Sequence, residues 1–148
     1  MNLGVAGIRG AILAEIRSFE NEFDITLPDE YVSFLEKNNG GQPDANHFKN
    51  ELFDFFVNVF YGFGGEDTSF DVETMYAIYA DRIPDGLIPI ADDGVGNLIC
   101  IGTTGDIFGK IFIWWRDKAV DEGEKPDFSN ISLVADSFEE FLEGLQET

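Results

Sequence analysis

Residues 87–115 read LIPIADDGVGNLICIGTTGDIFGKIFIWW. The stretch holds three short apolar runs, Leu87 to Ala91, Leu98 to Gly102 and Lys110 to Trp115. Two connections rich in turn residues separate them, Asp92-Asp93-Gly94-Val95-Gly96-Asn97 and Thr103 to Gly109. Short apolar strands joined by such turns read as an antiparallel meander. In the last run Ile111, Ile113 and Trp115 face one way and Phe112 and Trp114 the other, so both faces are apolar. Either helices cover both faces of the sheet there, or one face meets a partner.

Helical patterns flank the meander. Ile8, Ile12, Ile16, Phe19 and Phe23 recur at helical spacing and predict a helix over 8–23, with Glu15, Arg17, Glu20 and Glu22 on its polar face. Pro28 suits the first turn of a second helix, where its missing N–H costs nothing. Tyr31, Phe34 and Leu35 make the buried stripe of that helix, and Asn39-Gly40-Gly41 ends it. From Phe53 the period changes to two: Phe53, Phe55, Val57, Val59 and Tyr61 share a face and predict one strand, with Asn46 to Lys49 as a short partner. Val72, Met75, Tyr76 and Tyr79 mark a third helix with Asp71 at its N-cap. Ile131 to Val134 is a further strand. Ser137 and Glu140 form a capping-box pattern for a last helix that buries Phe138, Phe141, Leu142 and Leu145. The order implies one α+β domain over residues 1–148, an antiparallel sheet of about six strands with about four helices packed on it.

Composition narrows the function. Hydrophobic residues make up 44% of the 148, including 15 phenylalanines, enough for a packed core without staples. Nine Lys+Arg oppose 29 Asp+Glu, a net charge of −20. Such a chain repels nucleic acid and anionic lipid and attracts basic partners, although acidity also serves solubility. Cys100 is the lone cysteine, so no internal disulfide forms. No apolar stretch reaches the ~18 residues of a membrane span, and no signal-peptide pattern opens the chain. A cytoplasmic location is expected, which makes the sequon Asn130-Ile131-Ser132 a chance match.

The search for reactive groups returns little. His47 is the single histidine and sits outside any nucleophile motif. One His and one Cys cannot build an ordinary zinc site. The Asp92–Asn97 segment has adjacent acids, an early glycine, and Thr103 or Thr104 where an EF-hand needs its closing Glu, so it reads as a hairpin turn. Gly105 to Lys110 is one residue short of a phosphate loop between its glycines and has Ile111 in place of the magnesium-binding hydroxyl. No catalytic residue, cofactor or metal is expected.

Several segments taken in order resemble one family. Leu27-Pro28-Asp29-Glu30-Tyr31, Phe34-Leu35 and Asn39-Gly40-Gly41-Gln42-Pro43 are similar to the first half of SUKH (Smi/Knr-like) domains. Ile83-Pro84-Asp85-Gly86-Leu87-Ile88-Pro89-Ile90-Ala91-Asp92, Gly96-Asn97, Gly109 to Trp114, and Ala135-Asp136-Ser137-Phe138-Glu139-Glu140-Phe141-Leu142 resemble the second half. The resemblance spans about residues 8–146. Trp115-Arg116-Asp117 departs from it, and Phe48 to Asp81 follow it only in pattern.

The resemblance implies a non-enzymatic binding role. Bacterial members are chiefly immunity proteins that neutralise toxin domains, often nucleases; the fungal member is a regulator linked to cell-wall synthesis. The expected partner is a basic toxin domain, with a regulatory scaffold as the alternative. Steering acids are expected at Glu66, Asp67, Asp71 and Glu73 and at Glu139, Glu140 and Glu143, neither segment containing a Lys or Arg. The exposed side of the Phe112 and Trp114 face is one candidate for the apolar centre of the interface, with core and sheet cover as the other reading of Trp114 and Trp115.

Overall fold

The computed structural model describes residues 13–64 and 68–147. Four helices are present: α1 Leu13–Phe23, α2 Asp29–Lys37, α3 Val72–Tyr79 and α4 Phe138–Glu143. The strands are β1 His47–Lys49, β2 Asp54–Phe56, β3 Val59–Phe60, β4 Leu87–Asp92, β5 Leu98–Gly102, β6 Ile111–Trp114, β7 Ile131–Ala135 and β8 Leu145–Gln146. They form two antiparallel sheets, β3-β4-β5-β6-β7 and β2-β1-β8. The class is α+β, and the meander of residues 87–115 is the centre of the larger sheet. The single sheet of about six strands expected from sequence is instead divided three and five.

The division falls inside the segment read as one strand. β2 pairs with β1 and β3 pairs with β4. Between them the chain changes partners: the Val57 N–H donates to the Asn46 carbonyl and the Asn58 N–H to that of Asp92, each at 2.8 Å. The period-two signal survives because Phe55, Val57, Val59 and Tyr61 are all buried. Periodicity reports burial, and burial does not reveal which neighbour takes the hydrogen bonds. Leu145 is a second correction. It is buried, but in β8, opposite Phe48, and not on the face of α4.

The end of α2 is an architectural clamp. Gly40 adopts φ +83°, a conformation open chiefly to glycine. Gly41 then exchanges both backbone hydrogen bonds with Phe60, each at 2.9 Å. The Asn39 amide donates to the Phe63 carbonyl and accepts from the Phe63 N–H, both at 2.7 Å. At Gly62 a Cβ would lie 2.5 Å from the Asn39 carbonyl oxygen, so only hydrogen fits. The Asn-Gly-Gly motif thus fixes the free edge of β3 to α2.

Helices cover one face of the larger sheet. Ile88, Ile99, Ile101, Ile111 and Ile113 pack there against Ile16 and Phe19 of α1, Tyr31 and Leu35 of α2, and Phe138 and Phe141 of α4. The predicted start of α1 at Ile8 and Ile12 lies outside the described residues. Glu20, expected on the polar face of α1, is buried; it accepts from Arg17 at 2.5 Å and from the Leu27 N–H at 2.8 Å. Those two donors make its burial tolerable, since a buried charge must be paired. Ser137 caps α4 by accepting the Glu140 N–H at 3.0 Å.

The opposite face is also covered. Leu87, Leu98, Cys100, Phe112 and Trp114 form a second core with Ile83, closed over by Met75 and Tyr79 of α3 and by Ala119. Phe112 is 7% exposed and Trp114 2%. The Trp114 ring meets Tyr79 edge-on at 5.7 Å and its Nε1–H donates to the Arg82 carbonyl at 3.2 Å. These two side chains are therefore core, which corrects their assignment as the apolar centre of an interface. No surface is left on them for a partner.

Candidate partner-binding surfaces

The residues considered for chemistry are occupied structurally. Cys100 is fully buried, and burial pushes its thiol well up from its usual range, which keeps it protonated and unreactive. His47 Nε2 lies 2.6 Å from Asp54 Oδ1, and its ring stacks on Phe56 at 4.4 Å. In the β4–β5 turn Asp92 accepts from Tyr61 Oη at 2.8 Å, the Gly94 N–H at 2.9 Å and Asn58 at 3.2 Å. Asp93 accepts from the Val95 and Asn97 N–H groups at 3.0 Å and from the Asn97 amide at 2.8 Å. These oxygens shape a hairpin, as the spacing predicts. Among the described residues no group of three or more His, Cys, Asp or Glu is placed to hold a metal ion, and no helix is long and apolar enough to cross a membrane.

The acidic residues expected to steer a partner fall in two separate places. Asp71 and Glu73, at the start of α3, line a crevice of about 180 Å³ with Glu15, Ser18 and Phe19 of α1. Glu66 and Asp67 lie outside the described residues. Burial, then the charge of Glu22 and a hydrogen bond shared with it, raises Glu73 above the usual carboxylate range; Asp71 and Glu15 add to this. On α4, Glu139, Glu140 and Glu143 are exposed. Glu139 borders a groove of about 410 Å³ with Glu30, Ser33 and Lys37 of α2, and its N–H donates to Glu30 Oε2 at 3.2 Å. Lys37 places a cation on this groove that the local sequence of α4 does not reveal.

A raised carboxyl binds its proton more tightly in the folded than in the unfolded state. Stability should then fall as pH rises from the ordinary value of 4.5 through the raised one. Glu73→Gln removes that ionisation and is expected to raise the melting temperature slightly at pH 7 and to flatten the decline above pH 4.5. A lower melting temperature at pH 7 would show instead that the carboxylate is stabilising. The effect is small because the group is largely solvated.

A third surface was not anticipated. The loop after α3, Ala80 to Asp85, and residues 123–128 enclose an open cleft of about 810 Å³. Ile83 and Pro84 form its apolar floor and Phe128, 46% exposed, stands in its lining. Asp81, Asp85, Glu124 and Asp127 line it against one cation, Lys125. Two loops about 40 residues apart in sequence make it, so no single stretch carries the signal. The nearest clue is the recurrence of acids around a proline in both, Asp81 to Asp85 and Glu124 to Phe128.

Comparison with known proteins agrees with this architecture. A protein of Bacillus subtilis (strain 168), the SPbeta prophage-derived uncharacterized protein YokK, is 27% identical over 147 residues, an alignment covering 86% of this chain and 71% of that protein. The model of the SMI1 / KNR4 family (SUKH-1) matches residues 10–144, from α1 through α4 and so across every strand but β8. With nearly its whole length matched, the chain belongs to the SMI1/KNR4 family.

Proposed function

We propose that this chain is a non-enzymatic immunity protein that binds and neutralises a basic toxin domain in the cytoplasm. The observation that carries the reading is the charge. With nine Lys+Arg for 29 Asp+Glu, even complete one-to-one pairing leaves 20 acids without a cation. Groups of these acids lie on the exposed side of α4, in the crevice between α1 and α3, and around the cleft beside Ile83. Domains that grip phosphates are basic, and a strongly negative surface is complementary to them. The family is generally one of immunity and regulatory domains acting through protein–protein contacts, and the prophage origin of the relative is in keeping with a role in competition.

The test is co-expression with basic toxin domains, any candidate from a neighbouring gene first, read as survival and as co-purification. Rescue is expected, together with a stoichiometric complex. Because no catalytic role falls to the single histidine, His47→Ala is expected to protect as well as the wild type. A positioned histidine acting as an acid or base is worth about 10²–10⁴-fold, so a loss of that size with the fold retained would establish an enzyme. Unrelieved toxicity would sink the immunity reading.

A further inference from the structure

At about 810 Å³ the cleft beside Ile83 is roomier than the crevice at Glu73 or the groove at Glu139. It has an apolar floor, and a hydrogen bond ties together the loops that form it. The Arg82 guanidinium, between Asp81 and Ile83 in sequence, donates to the Val120 carbonyl at 3.1 Å, three residues before Gly123. Trp114 holds the same residue from the core side through the Arg82 carbonyl. These two hydrogen bonds tie the loop after α3 to the core and to the segment that leads into residues 123–128.

The charges around the cleft are available to a ligand. Asp81, Asp85 and Glu124 are exposed and take part in no ion pair among the described residues. Asp127 accepts from the Ser129 hydroxyl at 2.5 Å and N–H at 3.0 Å, and these hydrogen bonds hold its carboxyl below the usual range and so ionised. A carboxylate rim over an apolar floor matches one kind of side chain, a long aliphatic stem with a cationic end. The stem would lie on Ile83 and Pro84. The head would meet a carboxylate, a group that a guanidinium engages in two parallel hydrogen bonds, with the Phe128 ring in the same lining for a cation–π contact. A volume of about 810 Å³ lies in the usual range for ligand clefts and is roomy enough for a short loop around that side chain.

We propose that this cleft is the anchor site for an arginine-bearing loop of the protein partner. The proposal rests on the reading of the chain as a binder of a basic domain, and it names where that domain is gripped. Arginine is among the residues that dominate interface energetics when seated in a pocket.

The experiment titrates the isotope-labelled chain with a blocked Gly-Arg-Arg-Gly peptide, using Gly-Lys-Lys-Gly and Gly-Glu-Glu-Gly as comparisons. Saturable amide shifts are expected at 80–85 and 123–129, with arginine binding tighter than lysine and no binding of the glutamate peptide. The exposed pair Asp81→Asn/Asp85→Asn should weaken binding about tenfold and Phe128→Ser about fivefold, each with the dispersed spectrum of a folded chain. Glu51→Gln/Asp106→Asn, two exposed acids outside the cleft, should change it less than twofold. Shifts spread evenly over the acidic surface, a linear titration, or equal effects of the two acid pairs would overturn the proposal. The same variants are then measured against the toxin domain. If the wild type binds that domain and the cleft variants bind it equally well, the anchor is wrong and the immunity reading stands. If the arginine peptide seats in the cleft while the toxin domain does not bind at all, the immunity reading is wrong and the anchor stands.

Discussion

Phe141→Ala is expected to lower the unfolding free energy by roughly 3–5 kcal/mol, the range for deleting a fully buried aromatic ring. Phe141 is 0% exposed and sits where the two sheets meet. Its ring stacks on Phe48 of β1 at 5.5 Å and meets Phe60 of β3 at 6.3 Å and Phe138 of α4 at 6.4 Å. Phe48 belongs to the three-stranded sheet and Phe60 to the five-stranded one, so truncation opens a cavity against both and loosens α4 at the same time. Domains are stable by only about 5–15 kcal/mol in all. At about 2–4 °C per kcal/mol for a chain of this size, the melting temperature should drop by roughly 6–20 °C. Leu52→Ala is the comparison: that side chain is 83% exposed, and its loss should fall within about 0.5 kcal/mol. A Phe141→Ala melt close to that of the wild type would mean that α4 and β8 are a peripheral flap.

The core was legible because burial leaves a periodic trace. β5 occupies Leu98–Gly102, as the sequence predicts, because an apolar run lies between turn glycines. Pro28, expected in the first turn of α2, instead sits just before it at the N-cap with ψ 142°, and the helix begins at Asp29. What the trace does not carry is partnership. Val57 and Asn58 alternate correctly in burial while exchanging one sheet for another. Phe112 and Trp114 show that a strand has two apolar faces, yet the cover over one of them comes from α3 and Ala119, elsewhere in the chain. The same limit explains the surface. The acids of α4 were visible, whereas the neighbouring Lys37 comes from α2 and the cleft combines residues 80–85 with 123–128. Glu20 was misplaced for the converse reason. A carboxylate at a polar position of a helix is usually solvated, and here Arg17 and the Leu27 N–H allow it to be buried.

Association with a basic toxin domain should be fast at low salt and should slow by about 100-fold as ionic strength approaches 1 M. A net charge of −20 produces a field felt well before contact, and steered pairs reach ~10⁸ M⁻¹s⁻¹ where neutral pairs manage about 10⁵–10⁶. Salt shortens the reach of that field from about 8 Å at physiological strength to about 3 Å at 1 M. Most of the loss should therefore appear in the association rate, while dissociation responds to contacts already formed and screened by their own burial. The distinction separates the acidic faces by role. Exposed acids such as Glu139, Glu140 and Glu143 act through the field, so neutralising them should lower the low-salt association rate and leave the 1 M rate unchanged. Asp81 and Asp85, over an apolar floor, should alter dissociation at every salt concentration. Stopped-flow mixing of the two proteins between 20 mM and 1 M salt measures both rates. An association rate flat across that range would mean that the charge keeps the protein soluble and does not guide a partner to it, and recognition would then have to rest on the short-range contacts of the cleft.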